Sequence, residues 1–535
     1  MFARVAVASV ATCFIACSSE RFLHSTDAAV SAWAALADSL ACGSGLLEVD
    51  FQAIEEVLVP MWNTMPKDGQ GQIELRSLRY LADRFFKFSA NVRLRGFEGN
   101  APVEGSAWDT VELDRRVPGF ADIALKGGRF TFNHTVTYVA ALQQFIWEAS
   151  FSVLERVMLE KGVAVDGVMR HDVFVSLLFS HLLHWIGGDT FDGECFRASG
   201  AQNDLCFEIP HMDELENLVR AQVAGLEFRR QEVGRDPISV WDRTFSRSDA
   251  QAIARSIVNE FAWFYDTDCS TMRDALEGMD FTGAGRVPLS RFYASHDYFG
   301  ETEGYLDHLG VLDYDSSREP QVIIPNYIQA ASNCIVATQE YHVCCPNPCE
   351  HLFREIEVGL GVAEATEADI LAVVGNVMDA TTLGDKPPEV EGLLRSRLAE
   401  VAAAHGGKVR IHGRLFSQWM HYVFPRDCPF PHKSGSVSAT SLLEFAGVVE
   451  ADQDERAAQS VVTDLGNVSE SVWMSQWDEE EELLAGYTQT HALSLPVLVL
   501  STLVFVSIRL GLYVRGASKA ESTTGGWTGA KTHCV

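Results

Sequence analysis

The chain has 535 residues, of which 47% are hydrophobic and 21% are charged. This is the composition of a globular protein, and it excludes a wholly disordered, collagen-like or coiled-coil chain. Lysine and arginine number 42 against 73 aspartates and glutamates, so the formal net charge is -31. Such an acidic surface repels phosphate backbones, and we therefore expect no nucleic-acid partner.

The N-terminal residues 1–18 have the pattern of a secretory signal peptide. Arg4 supplies a positive charge, residues 5–17 form a short apolar run, and small residues follow where a peptidase would cut. The alternative is a buried N-terminal helix. A signal peptide would place the rest of the chain in the secretory pathway or at the cell surface.

Apolar residues recur at helical spacing through most of the chain, and alternating strand-like runs are short. Residues 135–161, 212–233 and 248–265 are examples, and Ser246 and Asp249 supply capping residues at the start of the last one. The sequence therefore predicts an all-α body.

A pattern of helix, glycine-containing turn, short aliphatic stretch and second helix recurs within this body. Copies cover residues 51–88, 246–291 and 394–424. An EF-hand has this layout, because two helices flank a loop of about 12 residues. The predicted fold class is all-α, with tandem EF-hand-like helix–loop–helix pairs, very short β ribbons and one transmembrane helix.

The loops are poor in the oxygen ligands that calcium requires. In the loop that begins at Asp280, Ala284 and Arg291 stand where a ligand and the bidentate glutamate belong. The loop that begins at Asp313 lacks the turn glycine and has Ile324 at the last ligand position. We therefore favour structural loops without a cofactor, with weak calcium binding as the alternative. The weak calcium candidates are Asp280, Thr282, Asp313, Asp315 and Ser317.

Cysteine usage is typical of an oxidising compartment, where most cysteines pair. Cys195 and Cys206 bracket a polar loop and are expected to form a local bridge. The cluster of Cys344, Cys345 and Cys349 cannot easily satisfy itself. A zinc site that includes His342 and His351 is the alternative, although the spacing of a zinc knuckle is missing. The expected partners of the cluster are Cys269, Cys334 and Cys428.

Two glycosylation sequons begin at Asn133 and Asn467. The second lies in a polar stretch and is the better candidate. The first falls at the predicted start of a helix.

The C-terminal region changes character. Residues 449–490 are strongly acidic, and they predict a mostly disordered stalk that Trp473 and Trp477 interrupt. Residues 492–514 form an apolar run long enough to span a bilayer, with Arg509 near its end, and basic residues follow it. A buried core helix is the alternative. These features predict a single-pass type I membrane protein with an external body.

The chain is expected to divide into seven parts. These are a signal peptide (1–18), an N-terminal helical domain (47–235), a central EF-hand-like pair (240–335), a cysteine-rich helical domain (336–435), an acidic stalk (449–490), a transmembrane helix (492–514) and a cytosolic tail (515–535).

Several long segments resemble a large family of uncharacterised alveolate proteins. They are residues 299–314, 322–334 with 341–350, and 405–432, and residues 66–88 are similar too. The resemblance implies a secreted or membrane-anchored chain with EF-hand-like segments, and it implies no catalytic mechanism. This sequence departs from the acidic loop pattern most plainly at Arg291.

Three common catalytic motifs are absent from the sequence, namely the G-x-S-x-G elbow, the phosphate-binding loop and the H-E-x-x-H helix. His181 and His184 lie three residues apart on one predicted helical face, so a metal-dependent hydrolase is one hypothesis. Packed histidines are the other interpretation. His405 and His412 flank a tight loop and are expected to hydrogen-bond to backbone.

The favoured function is a non-enzymatic membrane protein whose disulfide-linked ectodomain binds an unknown protein partner. The alternative is a low-affinity lumenal or extracellular calcium sensor or buffer, with the acidic stalk adding diffuse binding.

Overall fold

The computed structural model describes residues 50–95, 128–164, 167–187, 212–232, 244–295, 299–315, 319–337, 340–381, 392–433 and 476–483, with isolated positions near them. The predicted signal peptide (1–18), transmembrane helix (492–514) and cytosolic tail (515–535) lie outside these residues.

Helices make up most of the described residues. They are α1 (Phe51–Asn63), α2 (Leu75–Ala90), α3 (Phe132–Glu160), α4 (His171–Gly187), α5 (Met212–Glu232), α6 (Arg247–Met279), α7 (Leu289–Ala294), α8 (Glu303–His308), α9 (Ile324–Ile328), α10 (Pro348–Leu360), α11 (Glu367–Thr381), α12 (Gly392–Ala404) and α13 (Arg414–Val423). At the start of α6, Ser246 and Asp249 each accept the other's backbone N–H, as their spacing predicts.

Short strands separate the helices and, within the described residues, pair only as antiparallel ribbons of two or three strands. They are β1 (Ile73–Glu74), β2 (Val92–Leu94), β3 (Arg129–Phe130), β4 (Met169–Arg170), β5 (Thr244–Phe245), β6 (Arg286–Pro288), β7 (Leu312–Asp313), β8 (Gln321–Ile323), β9 (Val336–Ala337), β10 (Tyr341–Val343), β11 (Glu364–Ala365) and β12 (Val409–Arg410).

Four of these ribbons join the loops of two helix–loop–helix units. The long helices α3 and α6 each leave one loop and enter the next, so consecutive units share a helix. Each ribbon centres on a buried apolar pair that faces the core, which fixes the register of the two loops. The pairs are Ile73 with Phe130, Met169 with Phe245, Val287 with Val322 and Ala365 with Val409.

A further ribbon joins the beginning and the end of the body. Strand β10 pairs with β2, so that Tyr341 lies opposite Leu94 and Val343 lies opposite Val92. The Trp185 indole donates a hydrogen bond to the Tyr341 hydroxyl at 2.8 Å. The segments predicted as domains 47–235 and 336–435 therefore share one sheet.

Three disulfides hold the cysteine-rich region. Each member of the cluster bonds to one of its expected outside partners, and the structure supplies the connectivity that the sequence left open. The pairs are Cys269–Cys345, Cys334–Cys344 and Cys349–Cys428. Cys195 and Cys206 lie outside the described residues.

The predicted fold class is wrong in its membrane element. Among the residues that the structure describes, none of the helices combines the length and the apolar character that a bilayer span requires. The described part is mostly helical and carries small antiparallel sheets.

Removing Cys349–Cys428 should destabilise the protein more than removing Cys334–Cys344. The first bridge closes a sequence separation of 79 residues and the second a separation of 10. In the chain-entropy view, a bridge restricts the unfolded chain more when its loop is longer, so we expect losses of about 4–5 and about 3 kcal/mol. Urea unfolding of the two double alanine variants measures both values, and an equal or reversed order would contradict this explanation.

Candidate functional site

Asp280 ends helix α6 and opens the first of the two loops that carry the weak calcium candidates. Its Oδ1 atom accepts hydrogen bonds from the backbone N–H groups of residues 282–284 at 2.9–3.3 Å and from the Thr282 hydroxyl at 3.0 Å. Its Oδ2 atom accepts from Gly285 N at 2.9 Å and from Arg426 Nε at 3.1 Å. Donors within the protein therefore hydrogen-bond to both carboxylate oxygens of Asp280.

The same loop packs against the segment that follows helix α13. Gly285 has φ +69°, and a Cβ at this position would collide with the carbonyl oxygen of Pro425. Arg426 donates a second hydrogen bond to the Asp280 carbonyl oxygen at 3.1 Å. The turn glycine therefore lets the loop close against the segment that follows helix α13.

Asp313 lies at the end of strand β7 and is fully buried together with Arg286 of strand β6. Their side chains are 0% and 1% exposed, and Arg286 Nε donates to Asp313 Oδ2 at 2.6 Å. Arg286 also donates to the Ala284 carbonyl oxygen at 3.1 Å and to Gln476 Oε1 at 3.2 Å. Its guanidinium lies 5.7 Å from the centre of the Tyr422 ring. A guanidinium therefore lies where the weak calcium alternative would place the ion.

The alternative of a weak calcium site is therefore wrong for the described residues, which contain no group of three or more histidines, cysteines, aspartates or glutamates that could hold a metal. Asp280 and Asp313 are committed to arginines, and Thr282 hydrogen-bonds within its own loop. The Asp315 N–H donates to Asp313 Oδ1 at 2.9 Å. Ser317 lies outside the described residues.

The alternative of a zinc site at the cysteine cluster does not agree with the disulfides. Cys344, Cys345 and Cys349 are each bonded in a disulfide, so they have no thiolate to offer a metal. His342 lies in strand β10 and His351 in helix α10, where its ring packs 4.8 Å from that of Phe88.

His181 and His184 lie on helix α4, as predicted, but they have different partners. His181 is buried, its Nε2 atom is 3.4 Å from the Ser150 hydroxyl, and burial lowers its pKa to about 3. His184 Nδ1 is 2.8 Å from the Ser180 carbonyl oxygen, and its Nε2 is 3.3 Å from a Glu160 carboxylate oxygen. These contacts are typical of packed histidines.

The two histidines at the tight loop differ from each other. His405 Nδ1 lies 2.9 Å from the Val401 carbonyl oxygen, which is the predicted backbone contact. His412 is buried and contacts side chains instead, with Nε2 at 3.0 Å from the Thr64 hydroxyl and Nδ1 at 3.3 Å from the Tyr80 hydroxyl.

His412 belongs to a buried polar network that sequence reasoning missed. Arg84 of helix α2 binds Glu357 of helix α10, and its Nε atom is 3.1 Å from Glu350. The Thr64 hydroxyl lies 3.2 Å from Glu357 Oε1. The network joins the first and the last helix–loop–helix units, and no local pattern could reveal it because residues 84 and 357 are far apart in sequence.

Burial governs ionisation in this network. Burial alone would lower the pKa of Arg84, but the carboxylates of Glu357 and Glu350 outweigh it and raise that pKa. Burial also raises the pKa of Glu357, although Arg84 opposes this shift. Burial and the Arg84 charge lower the pKa of His412 well below its ordinary value. The network therefore contains a cationic arginine and a neutral histidine near neutral pH.

Residues 476–483, here called the acidic strap, lie against the C-terminal helix pair rather than forming a free stalk. The Arg414 N–H donates to the Glu482 carbonyl oxygen at 2.8 Å, and the Arg414 side chain donates to the Glu480 carbonyl oxygen at 3.0 Å. Gln418 exchanges two hydrogen bonds with the backbone of Asp478, at 3.0 and 3.1 Å. We define the strap groove as the surface around Gly413, Arg414, Gln418, Tyr422 and Lys433.

Side chains of the strap add apolar and ionic contacts. Trp477 packs against the apolar core of the C-terminal unit, 6.2 Å from the Tyr422 ring. Leu483 is buried and forms an isolated antiparallel bridge with Gly413. Lys433 contacts Asp478 at 2.6 Å. The predicted stalk therefore includes a segment that is part of the folded body.

The remaining predicted sites are less informative. Asn133 is exposed and lies in the first turn of helix α3, so its side chain faces solvent from a helix start. Asn467 and Trp473 lie outside the described residues.

Arg286→Ala should cost far more stability than Arg291→Ala. Removing Arg286 leaves the buried Asp313 carboxylate without its ionic partner, which typically costs about 3–5 kcal/mol. Arg291 is partly exposed and lies over the Phe281 ring at 4.1 Å, so its loss should cost less than about 1 kcal/mol. Chemical denaturation compares the two variants, and similar losses would show that the ion pair does not hold the loops.

Folding stability should decline as the pH falls below about 6.5. Burial lowers the pKa of His181 from 6.5 to about 3. Between these two pH values His181 is protonated in the unfolded chain and neutral in the folded chain, so acid favours unfolding. At a pH of about 5.5 this difference amounts to about 1.4 kcal/mol. His181→Gln should remove that share of the pH dependence, which unfolding at pH near 8 and near 5.5 measures. An unchanged slope in the variant would refute the assignment.

Comparisons with protein-family models, with curated proteins and with solved structures find no match to this chain. The resemblance to the alveolate family therefore stays a prediction. The chain's own residues carry the functional inference.

Proposed function

We propose that this protein is a non-catalytic binding module whose helix–loop–helix pairs are fixed by arginine instead of by calcium. Its body holds a protein partner and works in an oxidising compartment of the secretory pathway or outside the cell. The observation that carries the proposal is the engagement of both loop carboxylates, Asp280 by Arg426 and Asp313 by Arg286.

The loops support a function without a metal. A calcium sensor changes the relation between its helices when the ion binds, because the ion draws loop oxygens together. Arg286 already draws together Asp313, Ala284 O and Gln476 through donors of one planar guanidinium. The loops are therefore closed without an ion.

Long-range links support a rigid body that presents fixed surfaces. The Arg84–Glu357 contact and the β2–β10 ribbon tie the first unit to the last. The disulfides Cys269–Cys345 and Cys349–Cys428 add covalent links over long separations, and their abundance fits an oxidising compartment. A rigid surface binds a partner without first losing conformational entropy.

The hydrolase hypothesis has less support. A metal hydrolase needs ligands that converge on one point, whereas His181 faces Ser150 and His184 faces Glu160. A binding role accounts for the same histidines as packing residues.

Calcium should leave the stability of the protein unchanged. We expect no saturable heat in isothermal titration with calcium up to about millimolar concentration, the affinity range of extracellular calcium modules. The thermal midpoint should be the same in calcium and in a chelator at matched ionic strength, which controls for screening of the -31 charge. A saturable heat that disappears in Asp313→Asn would instead identify a calcium sensor.

A further inference from the structure

We propose that the strap groove is a peptide-binding site, that the acidic strap is its intramolecular ligand, and that the groove accepts the same kind of segment from a partner protein. That segment is extended and carries a tryptophan, then several acidic residues, then a leucine. The inference rests on the proposed function, since it names the surface and the partner chemistry of that binding module.

The groove recognises backbone, as a site for an extended peptide must. Carbonyl oxygens of alternate strap residues, Asp478, Glu480 and Glu482, accept hydrogen bonds from Gln418 and Arg414. This spacing of two residues is that of a strand, and addition of an extended peptide through main-chain hydrogen bonds is a common mode of recognition.

The strap covers the side chains that donate hydrogen bonds to it. Gln418 and Arg414 are buried in the presence of the strap, although both carry strong polar groups. Arg414 keeps one contact to the body, at 3.0 Å from the Pro431 carbonyl oxygen. Removal of the strap would leave the Gln418 amide without the partners that it has here, so the groove favours an occupant.

Two apolar anchors bracket the acidic run. Trp477 contacts the Tyr422 and Arg397 side chains, at 6.2 and 5.5 Å between group centres. Leu483 is buried at the other end, beside Gly413. The number of extended residues between the two anchors is fixed. The site therefore selects a ligand by the spacing of its apolar residues as well as by their chemistry.

Charge selects what lies between the anchors. Lys433 contacts Asp478 and Glu480 at 2.6 and 2.7 Å, and Arg414 contacts Asp478 at 3.4 Å. Glu479 is 87% exposed and lies 3.8 Å from Arg397. In a chain of net charge -31, this concentration of cations on one surface is directed at an acidic ligand.

Glu481 completes a helix end that has no cap of its own. Helix α13 begins after Gly413, which has no side chain to accept a hydrogen bond, and Glu481 Oε1 accepts from the Leu415 N–H at 3.2 Å. A Cβ on Gly413 would lie 2.8 Å from the Glu481 carboxylate oxygens. Gly413 therefore leaves room for a carboxylate that comes from the ligand.

The strap contacts the groove through a short extended segment whose outer side chains stay in water. The strap adds one isolated bridge, and Glu479 and Glu480 remain 87% and 72% exposed. Exposed ion pairs contribute little, so the anchors and the buried hydrogen bonds supply most of the affinity. A tethered ligand acts at an effective concentration of order millimolar, so a partner present at a lower concentration must bind the groove more tightly than the strap segment does to displace it.

The test uses the full chain and a labelled synthetic peptide that spans residues 474–485. Fluorescence anisotropy should show micromolar binding to a Trp477→Ala, Leu483→Ala double variant, whose own strap is weakened, and binding at least about tenfold weaker to the wild-type chain. Adding Gly413→Ala and Lys433→Glu to the double variant should abolish binding. A matched control peptide, with the acidic residues replaced by their amides, should bind at least about tenfold more weakly. Equal binding of both peptides, or none of the first, would overturn the proposal.

A second measurement uses the wild-type chain alone. The Arg414 and Leu415 amides donate to the strap, so their hydrogen exchange reports its release. We expect these amides to exchange at least about tenfold faster than those of Trp419 and Met420, which lie beyond the first turn of the same helix, because the strap opens without global unfolding. Exchange of all four amides at one common rate would make the strap a structural element and overturn the proposal.

Light scattering separates the source of the ligand. Concentration-dependent dimers that Trp477→Ala abolishes would assign the groove to the strap of a second copy, and would overturn the assignment to a partner protein. If the peptide does not bind and calcium titration gives no heat, only the inference about the groove is contradicted. A saturable heat of calcium binding would instead contradict the proposed function.

Discussion

The buried ion pair of Arg286 and Asp313 is the interaction on which the central loops depend. An unpaired carboxylate at 0% exposure would be strongly unfavourable. A calcium ion could neutralise it only if several further oxygen ligands also bound the ion. A guanidinium needs fewer, because its planar donors can serve a carboxylate, a carbonyl and an amide at once. Arg286 therefore links strand β7, its own loop and Gln476 of the strap.

Fixing the loops in this way changes what the helix pairs can do. Their geometry no longer depends on an ion, and the Arg84 network and the disulfides fix the two ends of the body as well. We propose that such a body acts through binding at fixed surfaces rather than through an opening motion. The strap groove is one surface of this kind, since it combines buried donors, a helix end without its own cap and a set of cations.

The acidic run illustrates how sequence and structure can differ. Residues 478–482 have the composition of a solvated segment, and a stalk was the reasonable prediction. The structure uses their backbone and two flanking apolar residues, Trp477 and Leu483, while the outer carboxylates stay in water. Charge composition describes side chains and carries no information about where the backbone binds.

Local patterns sufficed for the helices, for the capping pair Ser246 and Asp249, for the glycine-containing turns between helices and for the outside partners of the cysteine cluster. These features depend on residues close in sequence, or on the simple shortage of partners within the cluster. The cation partners of Asp280 and Asp313, the burial of His412 against Thr64 and the docking of the strap were decided by the tertiary structure. Each joins side chains that folding brings together from distant positions, and pairwise electrostatics and burial exist only once those positions meet.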